Sequence, residues 1–128
     1  MADVLIDTDI LIDFSRGMRA TADYFAQAST TSILSISCIT QMELIVGCQN
    51  KQALRTIDNF LIRFQVIPVT PEITRKAIEL LHDYNLSHGL LIPDSLIAST
   101  ALTMGLPLMT RNQRDFQFIP NLILVPPP

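Results

Sequence analysis

Short apolar runs alternate along this chain with longer stretches in which apolar side chains recur every three or four positions. Val4-Leu5-Ile6 is an uninterrupted apolar triplet that stops at Asp7-Thr8-Asp9, which predicts a buried strand ending at an acidic pair. Ile10 to Arg16 reads as a short helix closed by Gly17, and residues 20–28 as a second helical segment. Thr31 to Ser37 carries Ile33, Leu34 and Ile36 in a pattern suited to a second strand, and Ile39 to Val46 reads as a helix stopped by Gly47. From Lys51 to Phe64 the residues Leu54, Ile57, Phe60, Leu61 and Phe64 share one helical face. Gln65 to Ile67 is a brief strand cut by Pro68. Thr70-Pro71-Glu72 then opens a helix with a hydroxyl cap, proline in the first turn and an early acid, and its stripe is Ile73, Ala77, Leu80, Leu81 and Tyr84. Pro93-Asp94-Ser95 opens another helix running to Met104 and ended by Gly105, and strands follow at Leu106 to Met109 and Leu122 to Val125.

Strands alternating with helical segments specify an α/β fold: a mostly parallel central sheet of about five strands, covered by helices on both faces. Nothing resembling a linker or repeat divides residues 1–128, so one domain is expected. All four glycines fall where a helix should end, which predicts left-handed caps. None forms a phosphate-cradling cluster, which removes the main support for P-loop and dinucleotide-binding readings.

Composition sharpens this picture. Apolar residues make up 48% of the chain and the mean hydropathy is +0.35, high enough for so small a protein that some apolar surface is expected to meet a partner or a second copy. A net charge of −3 and a pI near 5.1 exclude nucleic-acid binding through a broad basic field, but not a nuclease whose acidic centre is neutralised by metal. No apolar run is long enough to cross a membrane and carboxylates interrupt the first one, so a cytoplasmic protein is expected. Cys38 and Cys48 lack the neighbours that a zinc site or disulfide framework requires and are read as small buried hydrophobes.

Four acids fall near the predicted carboxyl edge of the sheet: Asp7 after the first strand, Glu43 in the helix after the second, Asp94 at a helix start, and Asp115 beyond Met109. In open α/β sheets this edge carries the ligand-binding crevice. Asp7 or Asp9 also suits an N-cap, so the acidic pair alone leaves a structural reading open. Clustered carboxylates need shared protons or a cation, and an all-oxygen donor set favours Mg2+ or Mn2+. Such a centre suits phosphodiester hydrolysis. Thr8, Asp9 and Thr110 are candidates to hold the acids, Asn112 to add an outer hydrogen bond, and Arg111 and Arg114 to meet a phosphate backbone. Glu43 sits among Ile39, Met42, Leu44, Ile45 and Val46, where burial of an unpaired charge is costly and a metal or dedicated partner is expected. Asp13 is read as an exposed helical acid, and His82 and His88 as solvated residues near a helix end.

Four blocks carry a resemblance: Leu5-Ile6-Asp7-Thr8-Asp9-Ile10-Leu11-Ile12-Asp13, Thr40-Gln41-Met42-Glu43-Leu44-Ile45-Val46-Gly47, Ile92-Pro93-Asp94-Ser95-Leu96-Ile97-Ala98-Ser99, and Leu108-Met109-Thr110-Arg111-Asn112-Gln113-Arg114-Asp115-Phe116. In this order they are similar to the PIN-domain ribonucleases, and within them to the VapC toxins of toxin-antitoxin pairs. The resemblance implies an endoribonuclease that depends on Mg2+ or Mn2+, acts on RNA, forms a homodimer and is held inactive by a VapB-like antitoxin. It places Asp7, Glu43 and Asp94 at the family's first three acids, with Asp7 and Asp94 at the metal. For the fourth, the position two residues after Thr110 is Asn112; Asp115 is taken as the acid, with Asn112 assisting.

Two other readings start from the same residues. Asp7-Thr8-Asp9-Ile10-Leu11 approaches the Asp-x-Asp-x-Thr/Val strand end of haloacid-dehalogenase-like phosphatases, but Leu11 departs from that pattern and no later Gly-Asp pair follows. A receiver-like module needs a phosphoacceptor Asp after the third strand, where this chain has Val66-Ile67-Pro68. A catalytically inactive PIN fold acting as a binding module is the third alternative.

Overall fold

A computed structural model describes residues 3–128. The strands are β1 (Val4–Ile6), β2 (Leu34–Ser37), β3 (Gln65–Ile67), β4 (Leu108–Met109) and β5 (Leu124–Val125). They pair in the order β3-β2-β1-β4-β5, every pairing parallel. The chain builds outward from β1 in one direction through β2 and β3, then crosses to the opposite side of β1 for β4 and β5. Between β1 and β4 the strand order reverses, so a crevice opens at their carboxyl ends.

Helices α1 (Thr8–Ser15), α2 (Arg19–Ala28), α3 (Cys38–Val46), α4 (Lys51–Leu61), α5 (Pro71–His88) and α6 (Ile92–Met104) cover the sheet. Strand alternation divides the core in two. Val4 and Ile6 of β1, Leu34 and Ile36 of β2, and Met109 of β4 face Ile10, Leu11, Phe25, Leu44 and Leu61. On the opposite face Leu5 and Leu108 meet Ile73 and Leu80 of α5 and Ile97, Ala98 and Ala101 of α6. Small residues along α6, including buried Ser95, Ser99 and Thr100, let this helix lie against both the sheet and α5.

Several helices begin immediately after a strand, and polar caps fix where. Asp7 Oδ1 accepts the Thr8 N–H at 2.8 Å, and Ser37 Oγ accepts that of Ile39 at 3.1 Å. Asn50 caps α4 and Thr70 caps α5 in the same way, with Pro71 in the first turn as the sequence predicts. Because Asp7 is itself the cap, α1 starts at Thr8, two residues before the sequence reading placed it.

Elsewhere the boundaries shift for local reasons. Residue Ile33 is 53% exposed and gives its N–H to Asp3 Oδ1 at 2.9 Å, so β2 starts at Leu34. α4 ends at Leu61, yet a turn returns Phe64 to the core. Gly89 and Gly105 do close their helices at positive φ, +72° and +66°. Gly47 does not: its φ of −74° continues the helical geometry, and the Cys48 N–H reaches Ile45 O in the same sense. Cys38 and Cys48 are only half-buried. Among the described residues, no helix is long and apolar enough to cross a membrane.

Candidate active site

The crevice at the sheet's carboxyl edge is organised by Asp7, which ends β1 and is buried. Its Oδ2 accepts a 2.7 Å hydrogen bond from Thr110 Oγ1, at the end of β4, and its Oδ1 takes the Thr8 N–H. Burial first, and the negative charge of Asp9 second, push Asp7 up to about 7 despite these two donors. Asp9 lies in the first turn of α1. Its Oδ2 accepts the N–H groups of Arg111 at 3.0 Å and Asn112 at 3.2 Å, and is 3.3 Å from Thr110 Oγ1. Burial raises its pKa against those bonds, and its Oδ1 is buried without a hydrogen-bond partner.

Asp94, in the first turn of α6, is half-buried and pushed up to about 6. Burial is the largest cause, followed by the charges of Asp115, Glu43 and Asp9. Those couplings place the sequence-predicted acids in one electrostatic neighbourhood, assembled from α1, α3, α6 and the segment after β4. Asp115 is exposed in a short 3-10 turn, Gln113–Asp115. It lines a cavity of about 80 Å³ together with Asp94, His88, Gly89, Leu90 and Leu91.

Glu43 reaches the cluster by a different route from the one expected. The side chain is exposed, and so are its neighbours Met42, Ile45 and Val46, so the cost of burial does not explain it. Instead Thr8 Oγ1 donates to Glu43 Oε1 at 2.7 Å and meets buried Thr40 Oγ1 at 3.0 Å. Thr40 escaped the sequence reading. A groove of about 380 Å³ runs from Glu43 between α1, α3 and α4, along Ile12, Leu44, Cys48 and Ile57.

The two arginines divide. Arg114 is exposed in the 3-10 turn. Arg111 instead sends its guanidinium to Asp13 Oδ2, with Met18 Sδ at 3.3 Å. Asp13, expected on the surface, is only 5% exposed. Its spacing of four from Asp9 was the available signal, because it puts both acids on one face of α1. That face holds residues 110–112 through the Arg111 and Asn112 N–H groups and the Arg111 guanidinium.

The donor set is suited to a hard divalent cation: the candidate ligands are all carboxylates, they repel one another, and Asp9 Oδ1 is a spare buried acceptor. Among the described residues no group of three or more His, Cys, Asp or Glu side chains forms a ready-made cage. An open cluster of this kind fits an ion that keeps several waters and completes its shell with substrate.

The PIN domain family model matches residues 4–121, and the chain belongs to that family. Its relatives narrow the class. Ribonuclease VapC10 of Mycobacterium tuberculosis is 34% identical over 120 residues, 93% of this chain and 90% of its own. A solved toxin-antitoxin complex from Klebsiella pneumoniae is 32% identical with a TM-score of 0.77, covering 94% of this chain and 95% of that one. VapBC2 from Rickettsia felis, solved bound to a DNA fragment from its promoter, superposes with a TM-score of 0.83 at 28% identity over 98% of both chains. Within the PIN-domain family, the chain is thus one of the VapC ribonucleases.

Proposed function

We propose that this protein is the toxin of a VapBC-type pair, an endoribonuclease that hydrolyses RNA phosphodiester bonds with Mg2+ or Mn2+ at the cluster of Asp7, Glu43, Asp94 and Asp115. The observation that carries this reading is the convergence of Asp7, Asp9, Asp94, Glu43 and Asp115 at the strand-order reversal, where two carboxyls are pushed well above their ordinary value of 3.8. Asp7 and Asp94 would hold the ion. When bound, it supplies neutralising charge and polarises the scissile phosphate.

The remaining residues orient. Thr110 fixes Asp7 in one rotamer, and Thr8 fixes Glu43 toward the cleft from α3. Asp115 closes the cluster from the fourth side, with Asn112 assisting from the same turn. Exposed Arg114 is available to an RNA backbone, whereas the Arg111 guanidinium is committed to Asp13. The groove beside Glu43 suits an antitoxin segment of apolar residues, which would lie along Ile12, Leu44 and Ile57, with a basic side chain set against the acids at the Glu43 end, away from Arg16. The protein would act in the cytoplasm.

End-labelled structured RNA, incubated with the purified chain in Mg2+, in Mn2+ and in EDTA beside an Asp7→Asn variant, tests the chemistry and the ligands together. Cleavage is expected in either metal, absent in EDTA, and reduced by at least about 100-fold in the variant, the scale seen when one charge-stabilising group is lost. Metal-independent cleavage, or equal cleavage by the variant, would overturn the assignment.

A further inference from the structure

An acidic cleft that binds a polyanion needs hydrogen-bond donors as well as a cation, and one candidate donor, Arg111, is held by Asp13. The cavity shared by Asp94 and Asp115 supplies another. Its lining includes His88, the last residue of α5. Gly89, at φ +72°, turns the chain there, so that three residues later α6 begins and brings Asp94 to the same cavity.

The His88 ring is held in place on several sides. It stacks on Phe118 with centroids 4.3 Å apart and planes 20° from parallel, and meets the Tyr84 ring edgewise at 5.7 Å. Nδ1 lies 2.7 Å from Ser87 Oγ, a hydroxyl whose other contact, to Asp83 O, is longer at 3.3 Å. The hydroxyl has one hydrogen for these two acceptors; given to Nδ1, it leaves the neutral ring its own hydrogen on Nε2, the tautomer this contact requires. A protonated ring carries one there too. Of the side chains lining the cavity, two are carboxylates and two are leucines, so His88 is the one that can donate.

We propose that His88 is a substrate-contacting residue of this site, its Nε2–H donating to a non-bridging phosphate oxygen of an RNA strand lying across Asp94 and Asp115. At about 80 Å³ the cavity suits a phosphate group better than a stacked base. The inference rests on the ribonuclease reading, which supplies the RNA.

The test uses the full chain and four substitutions. His88→Phe keeps a ring over Phe118 and removes the donor; His88→Gln places an amide N–H near the Nε2 position; His88→Ala removes both. Glu72→Gln, exposed in the first turn of the same helix, is the control. Binding of a fluorescent RNA is measured in an Asp7→Asn background, so that no turnover is needed, and cleavage in Mn2+ is measured with Asp7 restored. Calorimetric Mn2+ titration and thermal melts accompany both.

His88→Ala and His88→Phe are expected to weaken RNA binding and raise KM about 10-fold, the scale of one hydrogen bond to a charged group, with kcat changed less. His88→Gln should recover most of the loss, while Mn2+ affinity stays within about 2-fold and Glu72→Gln matches the parent. Unchanged binding by His88→Phe, or His88→Gln no better than His88→Ala, would overturn the proposal. Should the parent fail to cleave any RNA in metal, the activity assignment falls, and the binding arm still decides for or against His88.

Discussion

At the scale of single residues, the cluster buries carboxyls, and sets them beside like charges, at a cost that a metal-free protein must carry. Asp7 holds its proton to about 7 and Asp94 to about 6, where the unfolded chain releases both near 3.8. Below pH 4 both states are protonated and neither carboxyl opposes folding. As pH rises the unfolded chain ionises first, so folded-state stability declines, and the decline attributable to Asp7 is complete only above pH 7. Its size is on the order of 4 kcal/mol. In EDTA the melting temperature is therefore expected to fall between pH 4.5 and 8, and Asp7→Asn to flatten much of that fall and to be the more stable protein at pH 8. Parallel pH profiles for the two would show that Asp7 is not the source. These acids were legible in the sequence because each sits at a strand end or helix start. Glu43 is legible by its place after β2, but the burial argument for it fails: helical periodicity gives no view of an α3 face bearing exposed Met42, Ile45 and Val46, and the Thr8 hydroxyl that holds Glu43 is 35 positions away.

Between elements, the tie that matters most for the site joins α1 to the turn after β4. Asp9 collects two backbone N–H groups there, and Asp13 takes the guanidinium of Arg111, with about a hundred residues between the partners. Sequence reading assigns a helical acid to solvent unless something covers it, and the cover here comes from the far end of the chain. His88 ends α5 exposed, as the sequence predicts; the role proposed for it depends on how α5 meets α6 and on Phe118, which helical pattern does not carry. The ion pair is lopsided: the Asp13 side chain is 7% exposed and that of Arg111 46%. Removing the arginine strands a buried carboxylate, whereas removing the acid frees a guanidinium that can turn to water. Arg111→Met is thus expected to cost about 2–4 kcal/mol in denaturant unfolding and Asp13→Asn nearer 1 kcal/mol. Equal losses would mean the pair behaves as an ordinary surface contact. Both substitutions loosen residues 110–112, so both should also weaken Mn2+ binding through Thr110 and Asp9.

For the whole molecule, alternation of strands and helices was enough to predict a parallel α/β sheet, and the rule for open sheets to place the acids on one edge. The crossing from β3 to β4 on the far side of β1 is the step that sequence pattern does not encode, because the short strands carry no mark of their neighbours. Part of the exposed apolar surface gathers on α5 and the start of α6. Ile78 and Leu86 on α5, with Leu91 and Ile92 leading into α6, are exposed, Leu86 to 98%, around a concavity of about 570 Å³ whose lining carries no Asp, Glu, Lys or Arg. The groove beside Glu43 is different: its lining carries the charges of Glu43 and Arg16, and it adjoins the acids. A two-fold interface sets the same patch against itself, which a patch free of such charges permits without like-charge repulsion. The α5–α6 face is accordingly expected to form the homodimer, leaving the Glu43 groove open to an antitoxin. Leu86→Glu and Ile92→Glu should each give a monomer by sedimentation equilibrium while melting close to the parent, and Ile45→Glu on α3 should remain a dimer. A dimer that survives both α5–α6 substitutions and is lost with Ile45→Glu would move the interface to α3, into competition with the antitoxin.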